Sequence, residues 1–113
     1  MTHYLVRFSY APRSIKDLVT KPDVDHAGNA SAMVASLGGK VHGYWYSFGD
    51  FDGVVLLEAP DNSAAASVAM AIGGTGEVTR LETTVLLTMD EAREAMRTAA
   101  TATHLPPGEG EGR

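Results

Sequence analysis

The first strand-like segment, HYLVRFSY at residues 3–10, alternates between two sides of unequal polarity. Tyr4, Val6 and Phe8 fall on one side, and Arg7 falls on the other. Pro12 follows the segment and limits its length. The alternation predicts a strand with its apolar side under helices and its Arg7 side facing away from them.

In the rest of the chain, segments whose apolar residues have helical spacing alternate with strand-like segments, and Gly and Pro residues separate them. The patterns predict a short helix over 13–21, a main helix over 22–37, strands over 40–49 and 52–59 joined by a turn, a helix over 61–72, a strand over 77–88 and a last helix to residue 102. Thr88 and Glu91 have capping-box spacing at the start of that last helix.

This order of elements predicts an α+β, ferredoxin-like βαββαβ fold with an extra C-terminal helix. The antiparallel sheet should have the strand order 4-1-3-2, with both main helices on one face. We expect residues 1–102 to form a single domain and the polar segment 103–113 to be a disordered tail. The sheet face without helices carries apolar side chains, which predicts a homodimer or higher homo-oligomer formed through that open face.

Composition removes several classes of function. The net charge is −5 and no basic run is present, so we expect no nucleic-acid or membrane partner. The chain has no cysteine, which excludes disulfides and thiolate chemistry. The N-terminus lacks the shape of a signal peptide, and the expected location is cytoplasmic.

Five of the eight aromatic residues lie in GYWYSFGDFD at residues 43–52. Strict alternation puts His42, Tyr44 and Tyr46 on one side of the second strand and Trp45 on the other. We expect the tyrosines to line a cavity on the open face, and Trp45 to pack under the helices. A bulge in the strand would invert this assignment.

The expected open-face cavity combines groups suited to proton transfer and ligand contact. His42 and Glu82 are the candidate catalytic residues, because an imidazole and a carboxylate can exchange protons near neutral pH. The candidate ligand-binding residues are Arg7, Tyr44, Tyr46 and Asp52.

Structural alternatives stay open for each candidate. Arg7 and Glu82 also suit a cross-strand ion pair, the tyrosines suit hairpin and interface packing, and His42 suits a solvated strand position. The histidines show no metal-ligand spacing along the chain, so we predict no metal site and no cofactor.

The segment GGKVHGYWYSFGDFDGVVLLEAPD resembles the core of the GYD domain family, and the likeness extends over roughly residues 3–95. The Gly-Tyr-Asp signature of that family reads Gly49-Asp50-Phe51-Asp52 here, with Phe51 where the family has Tyr. The resemblance implies a dimeric α+β barrel assembly. Related barrels include cofactor-independent oxygenases of polycyclic aromatics, haem-degrading enzymes and polyketide cyclases.

Three functional hypotheses follow. The chain could be a cofactor-independent enzyme of the oxygenase or cyclase type that acts on an aromatic or polyketide-like compound. It could instead bind such a ligand without turnover, or serve as a structural oligomer. The contents of the cavity separate the first two hypotheses from the third, and turnover separates the first from the second.

Overall fold

The computed structural model describes residues 1–103, 106 and 108. Their elements are β1 Thr2–Tyr10, α1 Pro12–Thr20, α2 His26–Ser36, β2 Lys40–Tyr46, β3 Gly53–Ala59, α3 Asn62–Gly73, β4 Val78–Leu86 and α4 Met89–Ala99. The strands form one antiparallel sheet in the order β2-β3-β1-β4. The predicted ferredoxin-like topology and strand order are therefore confirmed. Most of the predicted tail, residues 103–113, lies outside the described residues.

Side-chain caps set where the helices begin. The carboxylate of Asp25 accepts the N–H of Gly28 at 2.9 Å, so α2 starts at His26 and not at Pro22 as the sequence suggested. Asp61 caps α3 in the same way, through the N–H of Ala64 at 2.9 Å. At α4, the predicted capping box between Thr88 and Glu91 is present.

The core lies between the sheet and helices α2 and α3. Tyr4, Val6 and Phe8 are 1%, 2% and 4% exposed, which confirms the helix-covered side predicted for β1. Val34 of α2 and Val68 of α3 pack against them. The hydroxyl of Tyr4 donates to the side-chain oxygen of Asn62 at 2.6 Å, so this buried polar group is satisfied.

Val34 and Val68 pack on one side of the sheet. We call the opposite side, where they do not pack, the open face. The register places on it His3, Leu5, Arg7, Ser9, Gly43, Trp45, Val54, Leu56, Glu58, Arg80, Glu82, Thr84 and Leu86. Polar groups occupy both ends of β1 on this face, and Leu5 and Leu56 pair between them.

A bulge in β2 inverts part of the predicted face assignment. The register shifts between Val41 and Gly43, so Tyr44 pairs with the buried Val55 and Trp45 pairs with Val54 on the open face. Tyr44 and Tyr46 therefore lie on the helix side, and Trp45 is 55% exposed on the open face. The prediction that the tyrosines share the open face with Arg7 is wrong, because two residues at the bulge oppose one on β3.

Helix α4 is amphipathic, but none of its residues is buried. Its apolar side includes Met89 and Met96, which are 69% and 68% exposed. Among the described residues, no helix has both the length and the apolar character needed to cross a bilayer.

Candidate functional site

A cavity of about 540 Å³ lies between the sheet and helices α2 and α3. Val6, Phe8, Val55 and Leu57 contribute its sheet wall. Its helical walls come from Ala30, Met33, Val34, Val68, Ala71 and Ile72. This cavity is on the helix-covered side, whereas the sequence analysis expected a cavity on the open face.

Small residues explain why this space is not filled. Helix α3 reads NSAAASVAMAIG, and α2 reads HAGNASAMVAS. Ala30 and Ala71 face the cavity with a single methyl group each, so the two helices can cover the sheet without closing the gap between them. Cavities of about 300–1,000 Å³ with mostly apolar walls are typical of small-molecule sites.

Two tyrosine hydroxyls meet at the wall of the cavity. The hydroxyl oxygens of Tyr10 and Tyr44 lie 2.6 Å apart, and either group can be the donor. Burial raises the pKa of Tyr10 well above its ordinary value, and the hydrogen bond to Tyr44 raises it further. Burial also raises the pKa of Tyr44. Both phenols are therefore protonated near neutral pH, and the pair has one O–H left to donate to a ligand.

Polar residues occur where the cavity approaches solvent. His26 from the start of α2 lines it, as do Asn29, Thr75 and Glu77. His26 is partly buried, and the other three are exposed. The cavity therefore combines apolar walls, one partly buried hydroxyl pair and a polar edge that contains an imidazole and a carboxylate.

The turn between β2 and β3, which carries the GDFD sequence, closes over the open face. Gly49 has a φ of +136°, a conformation that residues with a β-carbon rarely adopt. Phe51 is 6% exposed, and the guanidinium carbons of Arg7 and Arg80 lie 4.7 and 4.2 Å from its ring centre. The carboxylate of Asp52 accepts the backbone N–H of Tyr10 at 2.8 Å. These contacts tie the turn to β1 and give the signature residues a structural role.

The six residues predicted from sequence as a site do not form one cluster. His42 lies on β2 and Glu82 on β4, the two outer strands, which are about 14 Å apart at about 4.8 Å per strand spacing. Glu82 accepts from Arg7 at 3.1 Å, the cross-strand ion pair that was the structural alternative. Asp52 is engaged with the β1 backbone.

Tyr44 reaches the cavity on the helix side, whereas Tyr46 lies beside it and contacts Tyr44 edge to face, with ring centres 5.7 Å apart. Tyr10 and His26 also line the cavity, although sequence reasoning did not select them. Tyr10 continues the Tyr4, Val6, Phe8 side of β1, and that periodicity could have identified it. His26 had no comparable signal, since its position depends on where α2 begins.

The fold and the cavity together define a class of protein: a ferredoxin-like α+β domain with an apolar cavity between its sheet and its helices. The sequence model of the GYD domain matches residues 4–96. The chain belongs to the GYD domain family.

Two solved structures are similar to this chain over about three quarters of its length. TTHA0845 from Thermus thermophilus has a TM-score of 0.53 and 18% identity, over 78% of this chain and 95% of that chain. The crystal structure of FFRP-DM1 has a TM-score of 0.48 and 13% identity, over 77% of this chain and all of that chain. A comparison with curated proteins finds no match. The likeness to TTHA0845 concerns the fold alone.

Proposed function

We propose that this chain binds one neutral, largely apolar ring compound in the cavity between the sheet and helices α2 and α3. The observation that carries the proposal is the Tyr10–Tyr44 hydroxyl pair, which is set in an otherwise apolar wall. A ligand with a carbonyl or hydroxyl group can accept the remaining O–H of the pair while its ring contacts the aliphatic walls. An aromatic or polyketide-like compound has this combination of groups.

The test uses 2-naphthol and naphthalene as matched probes, because they differ only in a hydroxyl group. In a calorimetric titration, wild-type protein should bind 2-naphthol more tightly than naphthalene. Tyr44→Phe should lower the affinity for 2-naphthol by about threefold to tenfold, the equivalent of one neutral hydrogen bond. The affinity for naphthalene should change little.

Two further variants locate the site. Ala30→Phe should block both probes, because it adds a ring to the wall of the cavity. Tyr46→Phe is the control, since Tyr46 neighbours Tyr44 but does not line the cavity. The proposal would be contradicted if Ala30→Phe still bound both probes and Tyr44→Phe bound 2-naphthol as tightly as the wild type.

Turnover is a second candidate function, and the presence of His26 in the cavity favours it. The tyrosine pair cannot serve as a base near neutral pH, because burial raises the pKa of both groups and both phenols stay protonated. Histidine is the side chain that most often transfers protons near neutral pH. An enzyme of the oxygenase or cyclase type would then use His26 as its base. His26→Gln should abolish product formation from a phenolic substrate while binding remains, and unchanged turnover would exclude this role.

We also propose that a second copy of the chain covers the open face, as in a dimeric α+β barrel. Leu5 and Leu56 are only partly buried there, and Trp45 is more than half exposed. Burial of such a surface against an identical one is the usual way to remove it from water.

A further inference from the structure

Two histidines and one glutamate from three strands converge at one end of the open face. His3 lies in β1, His42 in β2 and Glu58 in β3. The register puts His3 directly opposite Glu58, and the β2 bulge lies beside His42. The three residues are far apart in sequence, so their convergence depends on the order of strands in the sheet.

The ligand atoms of these side chains point to one small region. His3 Nε2 lies 2.9 Å from Glu58 Oε1, and His42 Nε2 lies 3.6 Å from the same oxygen. The two imidazole rings stack with centres 5.4 Å apart and an angle of 18° between their planes. All three ligand atoms lie within 4.8 Å of one another.

We propose that His3, His42 and Glu58 bind one divalent transition-metal ion of the zinc type. Bonds of about 2.0–2.1 Å to imidazole nitrogen and carboxylate oxygen put tetrahedral ligand atoms about 3.3 Å apart. The separations of 2.9 and 3.6 Å from Glu58 Oε1 are close to that value, and the two imidazole nitrogens lie within 4.8 Å of each other, so side-chain rotations would complete the set. Two imidazoles and one carboxylate are also a donor set that zinc and other divalent transition metals use in proteins.

The arrangement has consequences for what the ion could do. Three protein ligands leave a fourth position for water or a small ligand, as in sites where the metal acts on bound water. All three side chains are partly exposed in the single chain, at the end of the open face, so an ion can reach them before a second copy covers that face. The site is on the opposite side of the sheet from the Tyr10–Tyr44 cavity, and this inference does not depend on the function proposed for that cavity.

The alternative is a metal-free cluster in which both imidazoles contact the Glu58 carboxylate directly. Titration of the untagged chain with Co²⁺, after dialysis against a chelator, distinguishes the metal site from the metal-free cluster. The metal site predicts saturable binding of one ion, the visible absorption of four-coordinate Co²⁺, and displacement by Zn²⁺. Trp45 is the single tryptophan and shares this face, so its fluorescence provides a second measure of binding.

Substitutions assign the ligands. His42→Gln and Glu58→Gln should each weaken Co²⁺ binding more than about tenfold, since even the hydrogen-bond partners of metal ligands contribute about 10- to 100-fold. His26→Gln and Glu82→Gln are matched controls outside the cluster and should bind Co²⁺ like the wild type. Circular dichroism checks that each variant is folded. If Glu58→Gln does not fold, the affinity of His42→Gln for Co²⁺ tests the proposal by itself. Absence of saturable binding, or equal affinity in the folded ligand variants, would overturn the proposal.

Discussion

The indole of Trp45 lies over the α-carbon of Gly43, two residues earlier on the same side of β2. A β-carbon at position 43 would come within 2.6 Å of Cζ2 and 2.8 Å of Cζ3 of that ring. Residues two apart on a strand share a side, and the β2 bulge determines that the side shared by Gly43 and Trp45 is the open face. The absence of a side chain at Gly43 therefore lets the indole lie flat along the strand.

Gly43→Ala should move the indole and change the protein's stability little. The ring is 55% exposed and can rotate away from a new methyl group. The cost of that rotation opposes the gain from a less flexible unfolded chain, and we expect a net change within about 1 kcal/mol. Near-UV circular dichroism and Trp45 fluorescence should change clearly. Gly73→Ala, where a β-carbon meets nothing within 4 Å, is the control and should leave both signals unaltered.

Trp45→Ala should destabilise the fold less than a truncation in the core. Leu57 is 1% exposed and packs in the core, so Leu57→Ala should cost about 2–5 kcal/mol. Trp45→Ala removes a half-exposed ring, and we expect roughly half of the usual loss for a buried aromatic, about 2 kcal/mol. Urea unfolding at one fixed protein concentration measures both changes. A larger loss for Trp45→Ala would mean that the indole is buried, either under the helices as strict alternation had predicted or against a second copy on the open face.

The contrast between β1 and β2 shows which part of the fold could be predicted from the sequence. The alternation in β1 correctly places Tyr4, Val6 and Phe8 in the core, because that strand is regular over these residues. The order of elements also predicts the sheet topology. In β2, one extra residue reverses every side chain that follows it, and polarity alone does not reveal the reversal because tyrosine and tryptophan suit either face.

The site was harder to predict than the fold for a related reason. The cavity forms where two helices with small side chains fail to fill a space, and this space depends on how both helices pack on the sheet. The cluster of His3, His42 and Glu58 depends on three strands at once. Sequence reasoning had grouped His42 with Glu82, which lies on the other outer strand.

The partly buried pair of Tyr10 and Tyr44 should make the protein lose stability at high pH. Burial raises the pKa of Tyr10 and of Tyr44 in the folded state, whereas an unfolded tyrosine ionises near about pH 10. Above about pH 10 the folded state therefore keeps protons that the unfolded state releases. The contribution of the tyrosine pair to stability is fully present below about pH 10 and falls as the pH rises above it. Unfolding curves at several pH values measure the fall, and Tyr44→Phe should reduce it. Reversible ionisation of all the tyrosines near pH 10 in the folded protein would contradict this prediction.

The capping box should make helix α4 sensitive to acid. The N–H of Thr88 donates to Glu91 Oε1 at 3.0 Å, and the N–H of Glu91 donates to Thr88 Oγ1 at 3.0 Å. The hydrogen bond from the Thr88 backbone lowers the pKa of Glu91. The contribution of Glu91 is therefore present above about pH 4.3, its unfolded value, and is lost as the pH falls through the lowered pKa.

Amide chemical shifts of α4, followed as the pH is lowered from about pH 7, measure this effect. Helical shifts in the first turn should weaken toward the acid limit. Glu91→Gln should retain the cap and lose most of the pH dependence, because glutamine also serves in capping boxes. Glu94→Gln, which removes the partner of Arg97 in the second half of the helix, is the control. First-turn shifts that respond to pH equally in Glu91→Gln and wild type would show that Glu91 is not responsible.

Leu56 is the residue at which the proposed self-association is best tested. It lies in the middle of the open face, where it pairs with Leu5 on one side and Gly43 on the other. A homodimer that covers this face would bury about 800 Å² per partner, and a charge at its centre would lose its water without gaining a counter-charge. Leu56→Asp should therefore produce a folded monomer at concentrations where the wild type sediments as a dimer. Val19→Asp, at a position on α1 that is 74% exposed, should sediment like the wild type. A wild-type chain that stays monomeric at micromolar concentration, or a dimer that persists in Leu56→Asp, would show that the open face is not where two copies meet.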